Sequence, residues 1–247
     1  MGNVLVNPSL GQTLTVNPTL GQTQKLYSGG SNTVLKYLPE AGPTPTQITD
    51  LSGHGNHAAF TDAPAIVQIN GRNCYQFVSA QTNYCTVPDI TELLGATAAT
   101  WCAYVRKDAY VLSQYVMTDW GVAGKQNWVL GNESTENRWS AIVAGGTSAN
   151  KAEVAVNNVF TTGWHFVWMR FMGGVSLESG IDSTVGTPDT TSVPAIVASA
   201  SDGTTYIGRL ATTYSSMTLG ALAIFPRAIT DAERDLWRYK VQTLLGV

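Results

Sequence analysis

Along most of this chain hydrophobic and polar residues alternate over short runs, and glycine, proline, asparagine or serine interrupts each run. A period of two puts one face of a segment in a core and the other in solvent, so the pattern predicts β-strands. Strands are expected at 34–38, 65–69, 73–78, 101–107, 110–118, 127–131, 138–143, 151–156, 175–181, 205–207 and 217–225. Asn70-Gly71 between two of these runs is a two-residue hairpin signal. Residues 164–172 are hydrophobic on both faces, which places that strand at the centre of a sheet. The pattern changes only near the end. Pro226 stops a strand, because proline cannot donate to a ladder. Thr230 and Glu233 then form a capping box, and Ile229, Leu236, Trp237, Lys240 and Leu244 make a mostly apolar stripe at helical spacing.

The first thirty residues follow another rule. Val6-Asn7-Pro8-Ser9-Leu10-Gly11-Gln12-Thr13 returns as Val16-Asn17-Pro18-Thr19-Leu20-Gly21-Gln22-Thr23, a period of ten residues. Asn-Pro favours a turn and Leu-Gly breaks a helix. Two such copies cannot bury a core, so the segment is expected to lie extended and to find its partner elsewhere. The alternative is a terminal arm with no fixed partner. Lys25 is the only charge in the first 35 residues, whereas disordered tails are typically rich in charge. Val6, Asn7, Pro8, Leu10, Val16, Asn17, Pro18 and Leu20 are therefore the candidate partner-binding residues of an anchor. The expected division is an arm over 1–31 and one sandwich domain over 32–247, with Gly29-Gly30 as the hinge.

Composition narrows the function classes. Charged residues make up 13% of the 247, about half the usual share, and the net charge of −3 includes no basic run. Phosphate binding needs clustered Lys and Arg, so nucleic acid is excluded as a partner. No apolar run approaches the ~20 residues of a membrane span. The start has neither the basic nor the apolar segment of a secretory signal, and Val6 stands where a myristoylation motif needs Ser or Thr. Cys74, Cys85 and Cys102 are expected to be buried thiols, with a Cys74–Cys85 bond across a hairpin as the alternative. Asp50 and Asp62 are the acids nearest the glycine-rich turn at 50–57, too few for calcium, and His54 and His57 lack a third zinc ligand. No metal or cofactor is expected, although calcium at the Asp50–Asn56 turn stays open.

Asp50-Leu51-Ser52-Gly53-His54-Gly55-Asn56, Tyr75-Gln76-Phe77 with Tyr84-Cys85-Thr86-Val87-Pro88, Thr100-Trp101-Cys102-Ala103, Gly163-Trp164-His165-Phe166-Val167 and Pro226-Arg227-Ala228-Ile229-Thr230-Asp231-Ala232-Glu233 occur in that order. Together they resemble the laminin-G-like domains of the concanavalin A-like lectin/glucanase superfamily. The resemblance covers the chain from about Val34 onward. It implies an all-β, two-sheet antiparallel jelly-roll sandwich, here with a short C-terminal helix and an extended N-terminal arm. The glucanase branch of that superfamily implies two glutamates on one strand with an aspartate between them, as a retaining pair requires. Glu178 and Asp182, Asp231, Glu233 and Asp235, and Glu133 and Glu136 all fail that spacing, so no catalytic residue is assigned, and a glycoside hydrolase with an atypical site assembled from distant loops stays as the lesser alternative.

Two non-enzymatic readings remain. One is a free carbohydrate-binding module, with Trp120, Trp128 and Tyr214 as candidate stacking rings, and Tyr110, Tyr115 and Trp139 behind them. The other is a structural protein of a phage-type virion. In that reading the chain assembles in the host cytoplasm, is anchored by its arm to capsid or tail subunits, is homo-oligomeric, and presents its sandwich to a host-surface glycan.

Overall fold

The computed structural model describes residues 33–40, 46–108, 114–132, 138–157, 159–201 and 203–247, together with two strands near the N-terminus, Val4–Val6 and Thr13–Thr15. The chain divides into two compact units, Met1–Ser31 and Asn32–Val247. In the first unit β1 (Val4–Val6) pairs with β2 (Thr13–Thr15) antiparallel, with Leu5 opposite Leu14. Within the arm, β1 and β2 are thus each other's ladder partners. Of the anchor residues, Val6 lies on β1. Asn7, Pro8, Leu10, Val16, Asn17, Pro18 and Leu20 lie outside the described residues.

The second unit continues with β3 (Leu35–Tyr37), β4 (Gln47–Ile48), β5 (Ala58–Asp62), β6 (Ala65–Ile69), β7 (Arg72–Phe77), β8 (Tyr84–Pro88) and β9 (Ala98–Lys107). Then come β10 (Gln114–Trp120), β11 (Gln126–Asn132), β12 (Trp139–Gly146), β13 (Lys151–Val156), β14 (Gly163–Met172), β15 (Ser176–Ile181) and β16 (Thr184–Val185). The last elements are β17 (Thr204–Ile207), β18 (Arg209–Leu210), β19 (Thr213–Tyr214), β20 (Met217–Phe225) and α1 (Asp231–Leu245). Sheet one has the order β13-β12-β11-β10-β17-β8-β5-β4, and sheet two the order β16-β15-β14-β9-β20-β7-β6, with β3 also on β20. All these pairings are antiparallel. The expected two-sheet sandwich with a C-terminal helix is the fold observed.

The core lies between the sheets. Trp101 on β9 and Trp128 on β11 meet there at 5.5 Å between ring centroids, both essentially unexposed. Trp139 joins them and donates through Nε1 to Ser179 Oγ at 3.1 Å. The β6–β7 turn is the expected tight one, with positive φ at Asn70 (49°) and Gly71 (70°). By contrast, β7 and β8 are not a hairpin. They lie in opposite sheets, joined by a 3₁₀ turn at Ser79–Gln81. Cys74 therefore sits under the helix and Cys85 between the sheets, so no disulfide crosses a hairpin and all three cysteines are free and buried. Burial pushes the Cys74 thiol up to about 12 and the other two higher still, which makes them poor nucleophiles.

Helix α1 covers the outer face of sheet two. Its capping box is present: Thr230 Oγ1 accepts from Glu233 N at 3.3 Å, and Thr230 N donates to Glu233 Oε2 at 2.8 Å. The Arg227 guanidinium and this cap hold the Glu233 carboxyl down at about 2. The face turned to the sheet differs from the expected stripe. Val241 and Leu245 are buried and Trp237 packs on Phe166, while Leu236 is 52% exposed. Arg234 stacks over Trp168 at 4.4 Å and Arg238 over Phe166 at 5.6 Å. The contact row thus begins with arginines, whose stems and planar heads suit aromatic faces.

The turn at 50–57 closes on itself. Asp50 is 6% exposed, and its carboxylate accepts from Lys36 N (3.0 Å), Ser52 N (2.9 Å), Ser52 Oγ (2.7 Å) and Asn56 N (2.9 Å). Asn56 Nδ2 donates to Val34 O at 2.8 Å, and the Tyr37 hydroxyl donates to Asn56 O. Asp50 thus ties the turn to β3 through protein donors that occupy both its oxygens. Among the described residues no three His, Cys, Asp or Glu side chains converge on a point.

Two outcomes follow from this packing. Burial alone would raise the Asp50 pKa, but the hydrogen bonds from Ser52, Lys36 and Asn56 outweigh it and hold the carboxyl below its ordinary value. Its contribution is therefore complete above about pH 3.9 and disappears as pH falls through the lowered folded value. Asp50→Ala is expected to cost about 3 kcal/mol at pH 7 and to flatten the fall of thermal midpoint between pH 5 and 2, as scanning calorimetry across that range will show. Trp128→Ala is expected to cost about 3–5 kcal/mol in chemical denaturation because it empties the centre of the core. A loss under about 1 kcal/mol would contradict the packing described.

Candidate functional site

The outer face of sheet two is covered by α1 over β14, β9 and β20. Sheet one has its inner face on the core, and the outward face of β5, β8 and β17 is open. Alternation along β8 turns Cys85 and Val87 inward and leaves Tyr84, Thr86 and Pro88 outward. On β17 Thr205 and Ile207 are buried while Thr204 and Tyr206 face out. The register puts Tyr206 beside Thr86 and Thr204 beside Pro88. Asn83 fixes the approach to β8: its Oδ1 accepts from Val78 N at 3.2 Å and its Nδ2 donates to Ala63 O at 3.1 Å.

β17 ends at Gly208, whose φ of 81° turns the chain out of the sheet. A Cβ there would stand 2.7 Å from the Phe77 ring, so this close approach needs glycine. The chain then forms a short ribbon, β18 with β19, in which Arg209 is opposite Tyr214. Thr118 Oγ1 donates to Arg209 O at 2.8 Å, and Leu210 packs with Trp120 on Tyr115, Val129 and Ile142. This ribbon places the Arg209 guanidinium over three rings, with centroids at 4.5 Å (Tyr84), 4.9 Å (Tyr206) and 5.5 Å (Tyr214). Tyr84 itself lies 6.1 Å from Tyr206 and 5.9 Å from Tyr214.

At the other end of the same face is a shallow cavity of about 340 Å³, lined by His57, Ala59, Thr86, Pro88, Gly203 and Thr204 among others. Asp50 N donates to His57 Nδ1 at 3.0 Å, so the neutral ring carries its proton on Nε2. The strip from Tyr84 to Pro88 spans four residue steps, roughly 14 Å. It combines aromatic rings, a proline, hydroxyls and one cation. Such a surface can stack on an apolar ring face and hydrogen-bond hydroxyls.

The sequence candidates separate. Tyr214 belongs to this cluster. Trp120 lies on the same side of sheet one but packs under the ribbon with Leu210. Trp128 is corrected: at 1% exposure, against Trp101, its ring has no free face. Trp139 and Tyr115 are buried as well, and Tyr110 lies outside the described residues. Tyr84, Tyr206 and Arg209 were missed. The signal was a tyrosine at an outward position of a period-two strand, in Tyr84-Cys85-Thr86 and Thr205-Tyr206-Ile207. The guanidinium above them depends on a fold-back that no local pattern announces.

The carboxylates are engaged elsewhere. Glu178 pairs with Arg170, and Asp231 with Arg170 and Arg234. Glu233 pairs with Arg227, and Asp235 with Arg234. Asp182 is pushed up by burial but held below its ordinary value by the His165 hydrogen bond and the Phe166 amide. His165 bridges Asp182 Oδ2 at 2.7 Å and Thr161 O at 2.8 Å, a structural tie at the end of β14. Glu133 and Glu136 lie outside the described residues.

No family model and no curated protein matches this chain. Solved structures do match. The binding domain of botulinum neurotoxin DC in complex with rat synaptotagmin II superposes with a TM-score of 0.66 at 11% identity, over 86% of this chain and 52% of that one. The same binding domain in complex with SialylT gives 0.65 at 11%, again over 86% and 52%. The binding domain of serotype D gives 0.63 at 10%, over 85% and 52%. This chain thus spans about half the length of these domains, and at this identity the likeness is one of fold: it shares their β-sandwich.

Proposed function

We propose that this protein is a non-enzymatic binding module whose sandwich recognises a glycan on the outward face of sheet one. The observation that carries the reading is the continuous strip from the Tyr84–Tyr206–Tyr214 cluster to the His57–Pro88–Thr204 cavity, on the one broad sheet face that α1 does not seal. Its rings and neutral donors suit sugars, and among the described residues no carboxylate pair lines it to hydrolyse one. The fold relatives support the class, because they are binding domains, one of them complexed with SialylT. The arm, with its repeat and its single charge, serves as the attachment device. In this proposal the chain is a surface component of a phage-type virion, such as a capsid decoration, head fibre or tail component, displayed as a homo-oligomer.

Two measurements test this. On a glycan array, the native chain is expected to retain a defined set of oligosaccharides, and Tyr206→Ala or Tyr214→Ala to weaken it several-fold while the thermal midpoint stays within a few degrees. Retention of no glycan by the native chain would end the sugar-binding reading. Separately, the full chain is expected to co-sediment with particles from its source and a version starting at Ser31 to stay in the supernatant. Equal behaviour of the two would remove the arm as anchor.

A further inference from the structure

Arg209 differs from the other described arginines at its terminal nitrogens: Arg72 and Arg238 donate through theirs to the backbone oxygens of Pro39 and Asp182. Arg106, Arg138, Arg170, Arg227 and Arg234 each pair with a carboxylate. Arg209 donates through Nε to the backbone oxygen of Ala211, its own ribbon, and among the described residues no carboxylate pairs with its guanidinium. Asp62, across from Tyr84 on β5, makes no ion pair with it. Three tyrosine rings hold the head in place, so little side-chain freedom is left to lose when a ligand binds. What remains is a pre-oriented planar fork with its terminal N–H groups available, the geometry that takes two oxygens of a carboxylate at once.

We infer that the glycan recognised on this face is acidic, a sugar carrying a ring-attached carboxylate, with that carboxylate on the Arg209 fork and the following neutral residue toward His57, Thr86 and Thr204. The inference rests on the proposed sugar-binding reading and specifies its ligand. A carboxylate bonded directly to a ring carbon lets a single sugar meet both the fork and the tyrosine platform. A sulfate ester stands one oxygen farther from its ring and meets them less well. The cavity end offers hydroxyls and the His57 Nε2 donor, which suit a neutral sugar. The polarity of the ligand along the strip follows: acid end over Arg209, neutral end over Pro88.

The test uses the full chain and matched probes: sialyllactose and trigalacturonate, each beside its carboxyl-reduced form, with a sulfated lactose as a third arm, titrated calorimetrically at low and high salt. At least one carboxylated probe is expected to bind about tenfold or more tighter than its reduced partner and than the sulfated probe, with the advantage shrinking in salt. Arg209→Gln is expected to bring the carboxylated probe down to the reduced one, and Arg209→Lys to recover only part of the difference, each read as the ratio of acid to reduced probe within the same variant. Equal binding of acid and reduced forms by the native chain overturns the inference and leaves the sugar-binding reading standing. A preference for the sulfated probe overturns the choice of carboxylate. If no probe and no array glycan is retained, both readings fall together. The reduced probes keep the comparison decisive even if an Arg209 variant folds poorly.

Discussion

The structure depends on burying both faces of three adjoining strands, β14, β9 and β20. One face meets sheet one across Trp101, Val167, Met169, Phe171 and Leu222. The other carries Cys102, Tyr104, Phe166, Trp168 and Ala221, a second, smaller apolar cluster. Left in water it would cost about 25 cal/mol per Å² of apolar area, so something must cover it. Helix α1 does, which is why a fold otherwise made of strands ends in a capped helix. That cover breaks the symmetry of the sandwich. The outer face of sheet two is taken up by α1, and the face proposed for recognition is the outward side of sheet one.

The charges follow the same division. Around α1, Arg170, Arg234 and Arg238 lie against Trp168 and Phe166, and Glu178, Asp231 and Asp235 neutralise the first two. Half-buried pairs of this kind orient the helix more than they stabilise it. On sheet one the arrangement is repeated without the acid. Arg209 stacks on tyrosines, and among the described residues no carboxylate pairs with it. A guanidinium over aromatic rings is thus tied into ion pairs around α1 and, in the proposed reading, is the recognition element on sheet one.

Most of the strand plan was legible because the period-two alternation is a direct consequence of one-sided burial. The Asn70-Gly71 hairpin, the central 164–172 strand and the Thr230–Glu233 cap all appear where the local chemistry requires them. Asp50 was legible as a turn residue, though the four donors on its carboxylate come partly from β3, outside the turn. Two of the errors share one cause. Alternation says that a strand has two faces but not which sheet it joins. Thus 73–78 and 84–88 read as one hairpin, though their strands lie in different sheets, and Trp128 read as an exposed stacking ring on its strand, though it faces the core. The helix stripe drifted because arginine stems counted as polar in the sequence and as packing surface in the fold.

By itself the sequence determined the elements: where strands begin and stop, where the helix is capped, and that the arm repeats with a period of ten. It also determined a low charge that leaves few groups able to mark a surface. These are local properties, set by propensity, turn chemistry and spacing within a few residues. Only the tertiary structure decided which faces are covered and which side chains meet. Tyr84 and Tyr206 are more than a hundred residues apart in the chain and lie on neighbouring strands, and Arg209 reaches them because Gly208 turns the ribbon back over the sheet. Such a meeting depends on strand order and register, which are fixed by the burial of the whole domain and are not encoded in any one segment.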